Sequence, residues 1–237
     1  LTEKRYKKKD YKNILKSLSE VDARKFNPHT LFISSNIYEI QKKGQWSPSN
    51  DLFNKNILIL GPGENAKKNR DKLIKFINSK KLFVIALNSL NYMPEHLINV
   101  RTICHPTRIA LDSKYLNRYS TSIIAPISSM PDQLKNYLNS ENKFILDFGL
   151  HVNGQKKIDI YKNYCSLPKP LVFFYTLAIS ISAKAKKIYL AGFDGYKYDD
   201  PFSDETNYYL KKFLKDHKKI ELKTLTKSRY NIPSSIL

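Results

Sequence analysis

The stretch Gly61-Pro62-Gly63-Glu64-Asn65 breaks the chain in a way that has chemical consequences. It follows the apolar run NILIL at 56–60 and precedes a segment in which Leu73, Ile74, Phe76 and Ile77 share one helical face. Glycine at 61 and 63 lets the main chain approach a ligand where a Cβ would intervene. A helix beginning near Asn65 or Ala66 would turn its unbonded N–H groups and its dipole toward an anion. The pattern is not G-x-G-x-x-G, because Lys67 or Lys68 stands where the third glycine would be, and it lacks the G-K-[ST] of a Walker A loop. Two readings stay open: a phosphate cradle, or a plain strand-to-helix turn capped by Asn65.

The elements that would position this turn are legible on both sides of it. A strand at 56–60, a helix at 67–78 and a second apolar strand at 81–87, closed by Asn88, make a βαβ unit. Further short apolar runs at 97–104, 122–127, 143–148, 187–190 and 219–222 read as strands. A helix is expected at 130–138 and another at 170–184, entered through Pro170. A third is expected at 204–216 with Ser203 as its N-cap, and 151–169 reads as loop. Buried strands alternating with helices predict an α/β, Rossmann-like, mostly parallel sheet with helices on both faces. In such sheets ligands bind at the carboxyl ends of the strands. The polar and glycine-containing strand ends at 61–65, Asn88, 105–108, 128–129, 149–151 and 192–196 would therefore line one edge.

Residues 1–51 read differently, as a Lys-rich helical appendage or the tail of an upstream domain, with 44–50 as a linker and 52–237 as the sheet domain. The chain begins at Leu1 rather than Met, which suggests a piece of something longer. At 237 residues it has room for one good-sized domain, and a hydrophobic content of 41% suffices for a core. No apolar run reaches the roughly 18 residues a membrane span needs. The 2 cysteines, Cys104 and Cys165, give no disulfide framework and no C-x-x-C pair, and the 5 histidines show no zinc spacing. No metal and no cofactor are expected, and the compartment that fits is the cytoplasm. The net charge of +20 is spread along the chain. It fits an AT-rich codon bias, or a basic face toward an anionic membrane or a nucleotide-sugar. Nucleic-acid binding would rest on charge alone, without an aromatic-basic RNA motif.

Three pieces together resemble a known group: Ile59-Leu60-Gly61-Pro62-Gly63-Glu64-Asn65, Leu87-Asn88, and AISISAKAKKIYLAGFDGY at 178–196. They are similar to bacterial glycosyltransferases that include the lipooligosaccharide sialyltransferases and the motility-accessory-factor proteins that glycosylate flagellin. The resemblance implies a Rossmann-like domain binding a CMP-activated sugar acid for surface-glycan (lipopolysaccharide or capsule) synthesis, with a glycan or glycolipid acceptor, at or near the inner membrane face. It places Gly61, Pro62, Gly63 and Asn65 near the phosphate, Asn88 near the nucleotide or sugar, and Gly192 and Asp194 in the nucleotide site. Arg108, Lys67 or Lys68 would compensate donor charge.

The chain departs from that group at one point. The sialyltransferases carry a general-base histidine in a lid after the G-x-D turn, and the interval 197–215 here has none. A base would have to be His105, at a strand end beside Arg108, or His151, since histidine is the usual choice for taking a hydroxyl proton. The Asp199-Asp200 pair reads as solvated. The YLAGFDGY turn also resembles the C-terminal part of aldolase-like proteins from surface-polysaccharide clusters, which implies a fused or partner aldolase. The expected functions are thus a metal-independent glycosyltransferase, a non-catalytic nucleotide- or sugar-binding module serving an aldolase, and, third, a pterin-type diphosphokinase, whose domain is similar but whose Mg²⁺ would need carboxylates near the phosphates.

Overall fold

A computed structural model describes residues 42–105, 118–130, 144–154, 157–196, 200–217 and 220–237, with single positions at 108, 109, 112, 116, 135 and 138. Residues 1–41 of the appendage expected at 1–51 and most of the expected helix at 130–138 lie outside the described residues, as does Asp199.

The expected parallel sheet is present. It holds β1 (Asn56–Leu60), β2 (Phe83–Leu87), β3 (Val100–Thr102), β4 (Ser122–Ala125), β5 (Ile145–Asp147), β9 (Lys187–Ala191) and β10 (Glu221–Thr224), in the order β10-β9-β1-β2-β3-β4-β5. Every neighbouring pair runs parallel. The chain leaves β1, steps outward through β2 to β5, then crosses back to lay β9 on the other side of β1. The strand order therefore reverses between β1 and β9, and ligands of such sheets collect outside the strand ends at that reversal.

Both faces of the sheet are covered, which is why β1 and β2 read as nearly unbroken apolar runs. Ile57 and Ile59 of β1 pack with Tyr175, Leu177 and Ala178 of an apolar helix, α4 (Val172–Ser182), and with Leu210 and Phe213 of α5 (Pro201–Asp216). Leu58 and Leu60 face the other way, against Leu73 and Ile77 of α3 (Arg70–Lys80). A third cluster, with Ile103, Ile123, Ala125 and Met130, lies under the β3–β5 end.

Several elements differ from expectation. The first helix begins earlier, as α2 (Glu64–Lys68), and breaks at Asn69 before α3. The break is held by Asn69 Nδ2 donating to Asn65 O at 2.8 Å. The stretch expected to be loop contains a second sheet, β6 (Gly149–Val152), β7 (Asp159–Ile160) and β8 (Tyr164–Leu167), in the order β6-β8-β7. Its strands are too short and too polar on one side to show as apolar runs. Pro170 lies just before α4, whose N-cap is Leu171. The cap of α5 is Asp200, not Ser203: its side chain accepts from Phe202 N at 2.9 Å, with Pro201 in the first turn. Asp200 is thus tied to the backbone and not a free solvated carboxylate. A four-residue helix, α1 (Ser49–Leu52), precedes β1.

The stretch 44–50 is packed rather than a free linker. Gly44 N donates to Asn163 O and Trp46 N to Asp147 O, at 3.0 and 2.9 Å. The C-terminal stretch also docks. Thr224 N donates to Pro233 O at 2.9 Å and Ser235 N to Thr224 O at 2.8 Å. These bonds occupy the outer edge of β10, which would otherwise offer unpaired N–H and C=O groups.

Candidate functional site

The turn after β1 and the turn after β9 lie against each other. Gly61 N donates to Ala191 O and Gly63 N to Gly192 O, both at 2.8 Å. A Cβ on Gly61 or on Gly63 would stand 2.6 Å from Gly192 O, so both glycines are required by this backbone contact. Gly192 adds a φ of +77° and would drive a Cβ into the Gly61 carbonyl. Thr226 Oγ1 holds the Gly192 N–H at 3.0 Å, and Arg229 N donates to Asp194 O at 3.0 Å.

Asp194 is the chemical outcome of this packing. Its Oδ2 accepts the backbone N–H of Asn65 at 3.0 Å, which places a carboxylate at the start of α2. The position where sequence reasoning expected a phosphate is filled from within the protein, and with a group of the same sign. Asn65 does not cap α2: it is the second helical residue, and its Nδ2 donates to Lys227 O at 2.9 Å. Asp194 Oδ1 is shielded from solvent and has no hydrogen-bond partner. Tyr92, whose hydroxyl donates to Gly61 O at 2.9 Å, is held neutral by burial and, second, by the Asp194 charge, which push its pKa above the ordinary phenol value.

These turns open on a cavity of about 710 Å³. Pro62, Gly63, Asn88, His105, Arg108, Gly192 and Asp194 line it, while Gly61 and Asn65 stand behind the lining. Seven strand-end residues picked from sequence are thus brought together. His151 is not among the lining residues. Its neighbour Val152 is, and strand alternation sends the two to opposite sides of β6. His151 Nδ1 instead pairs with Ser166 Oγ at 2.9 Å. Lys67 and Lys68 are exposed on α2 outside the lining, and Lys67 pairs with Glu64 at 2.5 Å.

The architecture is α/β and Rossmann-like, and a solved structure matches it. The chain is similar in fold to a MAf glycosyltransferase. That enzyme, from Magnetospirillum magneticum AMB-1, superposes with a TM-score of 0.56 at 9% identity, over 92% of this chain and 38% of its own. The chain therefore spans well under half the length of that protein, and at this identity the likeness is one of fold. SuiB from Streptococcus suis, solved bound to S-adenosylmethionine, overlaps 73% of the chain at 13% identity with a TM-score of only 0.26, below a shared fold. No protein-family model and no curated protein sequence matches the chain.

The rest of the lining adds ion pairs and aromatic surface, of which Lys169 and Glu205 had no sequence signal. Lys169, between Pro168 and Pro170, forms an ion pair with Glu205 of α5 across the cavity wall. Arg108 pairs with Asp112 at 2.9 Å, and Asp112 also accepts from Ser89 Oγ at 2.7 Å. No side chain caps α4, whose first residues Val172 and Phe173 line the cavity, so its N-terminal dipole faces the interior. Aromatic rings fill much of the lining: Phe173 packs on Phe193, and Tyr196 on Phe202 and Tyr230. Burial, with the nearby Tyr196 next, raises the Tyr230 pKa to about 12. Among the described residues no three His, Cys, Asp or Glu side chains are grouped as metal ligands, and no helix is long and apolar enough to cross a membrane.

Proposed function

We propose that this domain binds a CMP-activated sugar acid in the crevice between the ends of β1 and β9 and transfers the sugar to a hydroxyl of a glycan or glycolipid acceptor. The observation that carries the reading is Asp194 Oδ1. It is a buried carboxylate oxygen without a partner, fixed by the contact of two glycine turns at the reversal of strand order and beside a 710 Å³ cavity. A buried acceptor left unpaired is destabilising, and a ligand that donates to it removes the penalty. The ribose hydroxyls and the exocyclic amine of cytosine are donors of that kind. Asn88 Oδ1, also shielded and unpartnered, would take a second.

Charge supports a donor with one phosphate. The lining cations Arg108 and Lys169 each already face a carboxylate, and Asp194 adds a further negative charge. Such a lining offers little to the several charges of a diphosphate. It suits a single phosphodiester placed at the N-terminus of α4 and the Arg108 edge, where dipole and guanidinium would stabilise CMP as it leaves. In the transfer the acceptor oxygen bonds to the sugar carbon, the bond from that carbon to the phosphate oxygen breaks, and the acceptor proton passes to a base, for which His105 is the lining histidine. Surface-glycan synthesis, a cytoplasmic setting and contact with the inner membrane face belong to the same reading.

The absence of any histidine at 197–215 favours a second reading, a binding module that keeps the pocket without turnover. Calorimetry with CMP, CDP, UDP and GDP tests both. Selective CMP binding that Asp194→Ala abolishes is the expected result; binding of none of the four, or unchanged binding by Asp194→Ala, would sink the site. CMP release from a CMP-sugar, lost in His105→Ala, separates transferase from module.

A further inference from the structure

Arg101 is a charge in the middle of β3, 1% exposed, with hydrophobic Ala86 and Ile123 as its register partners on either side. Its guanidinium pairs with Glu95 at 2.5 Å and lies 3.5 Å from the ring centre of Tyr119. Nε donates to Thr121 Oγ1 at 3.2 Å. The remaining bonds go to backbone: Nη1 donates to Leu90 O at 2.8 Å and to Asn88 O at 3.3 Å. Tyr119 adds a hydroxyl bond to Ser89 O at 3.2 Å. Three consecutive carbonyls after β2 are therefore held by one buried cation and the ring it stacks on.

What they hold is a residue in the left-handed region. Asn88 has φ +52°, a conformation that asparagine adopts more readily than other side-chain-bearing residues but that is still one of several open to it. A buried ion pair is a poor device for stability, since apolar residues of similar volume serve as well or better. It is a good device for fixing one geometry among several. The geometry fixed here turns the Asn88 side chain into the lining of the cavity, its amide oxygen without a protein partner.

We infer that Arg101 is a positioning residue that holds Asn88 in its left-handed conformation so that its amide can accept from a donor group of the bound ligand. The inference rests on the proposed binding of CMP in this cavity. Arg101 does not touch the ligand; it acts through the carbonyls of 88 and 90.

The test uses Arg101→Lys, which keeps a cation for Glu95 but loses the forked donation to the two carbonyls. Calorimetry with CMP should show affinity about tenfold weaker, as expected for loss of one good ligand hydrogen bond. In an Asn88→Ala background the same substitution should leave CMP affinity unchanged. Glu95→Gln should lower the melting temperature while preserving CMP affinity within about twofold. An unchanged affinity in folded Arg101→Lys, or an equal loss in both backgrounds, would overturn the inference. If the wild-type chain binds no CMP, the proposed function falls, and amide hydrogen exchange decides the positioning role. Exchange at Ser89 and Leu90 about tenfold faster in Arg101→Lys, with β1 and β9 unchanged, supports it; uniform or no acceleration overturns it.

Discussion

The glycines of the two packed turns allow backbone strain and close contact to be measured apart. Gly154 has φ +62° with nothing within 4 Å of an added Cβ, so Gly154→Ala should show strain alone, about 1–2 kcal/mol. Gly192 has φ +77°, and its Cβ would overlap the Gly61 carbonyl, whose carbon would stand 2.9 Å away, and approach Ala66 Cβ at 3.1 Å. The carbonyl cannot retreat freely, because hydrogen bonds from Gly61 N and Gly63 N tie the turns together at 2.8 Å and Tyr92 grips Gly61 O at 2.9 Å. Adding overpacking to strain gives about 3–4 kcal/mol for Gly192→Ala, or roughly 10 °C in a domain of this size. Urea unfolding is the assay, read as a lower midpoint at constant m-value. Gly63→Ala has an ordinary backbone (φ −65°, ψ 147°), so its loss should come from crowding Gly192 O and the Asp194 carboxylate. Part of that loss should disappear in an Asp194→Ala background. If Gly192→Ala and Gly154→Ala agree within about 0.5 kcal/mol, the two turns do not restrain each other and Asp194 is not fixed by their contact.

Asp200→Ala should destabilise by about 1 kcal/mol through loss of the α5 cap, with Phe202 amide exchange as the local readout. His217, which closes α5 against Phe213, has its pKa lowered by burial, Asp216 opposing this more weakly. Its folded pKa lies below the unfolded value, so its contribution is complete above about pH 6.5 and is lost as pH falls through the folded value. Unfolding midpoints between pH 7.5 and 5.5 should fall less steeply in His217→Gln than in wild type. Cys104 and Cys165 are fully buried, and desolvation raises both thiols. Thiol reagents should label neither until urea unfolds the chain.

The centre of the sheet was legible because β1 and β2 are buried on both faces. NILIL, FVIAL and KIYLA carry no alternation to confuse with an amphipathic helix. The meeting of the 61–65 and 192–196 turns followed from placing both at strand ends. The identity of the cap was not legible, because the carboxylate that serves α2 comes from 129 residues away. The small sheet escaped because two-to-four-residue strands are shorter than any periodicity. Asp200 was not legible as the cap of α5, because Asp199-Asp200 reads as a solvated loop pair, although the following Pro201 marks a first helical turn. Arg101 passed as an ordinary strand position. Its partners, Glu95, Tyr119 and the 88–90 carbonyls, are joined to it only by the fold.

The reversal of strand order also bears on how the chain is made. β1 pairs with β2 as soon as both exist, but its other edge waits for β9, and the gap is of the same order as the 129 residues between Asn65 and Asp194. At roughly 5–20 residues per second, a ribosome needs on the order of ten seconds to cross it. Through that interval an interior strand of the finished sheet is a growing chain's exposed edge, with Ile57 and Ile59 uncovered until α4 arrives. A chaperone acting on nascent chains would find its binding surface there, and arrested nascent chains ending before and after residue 191 would reveal when it lets go.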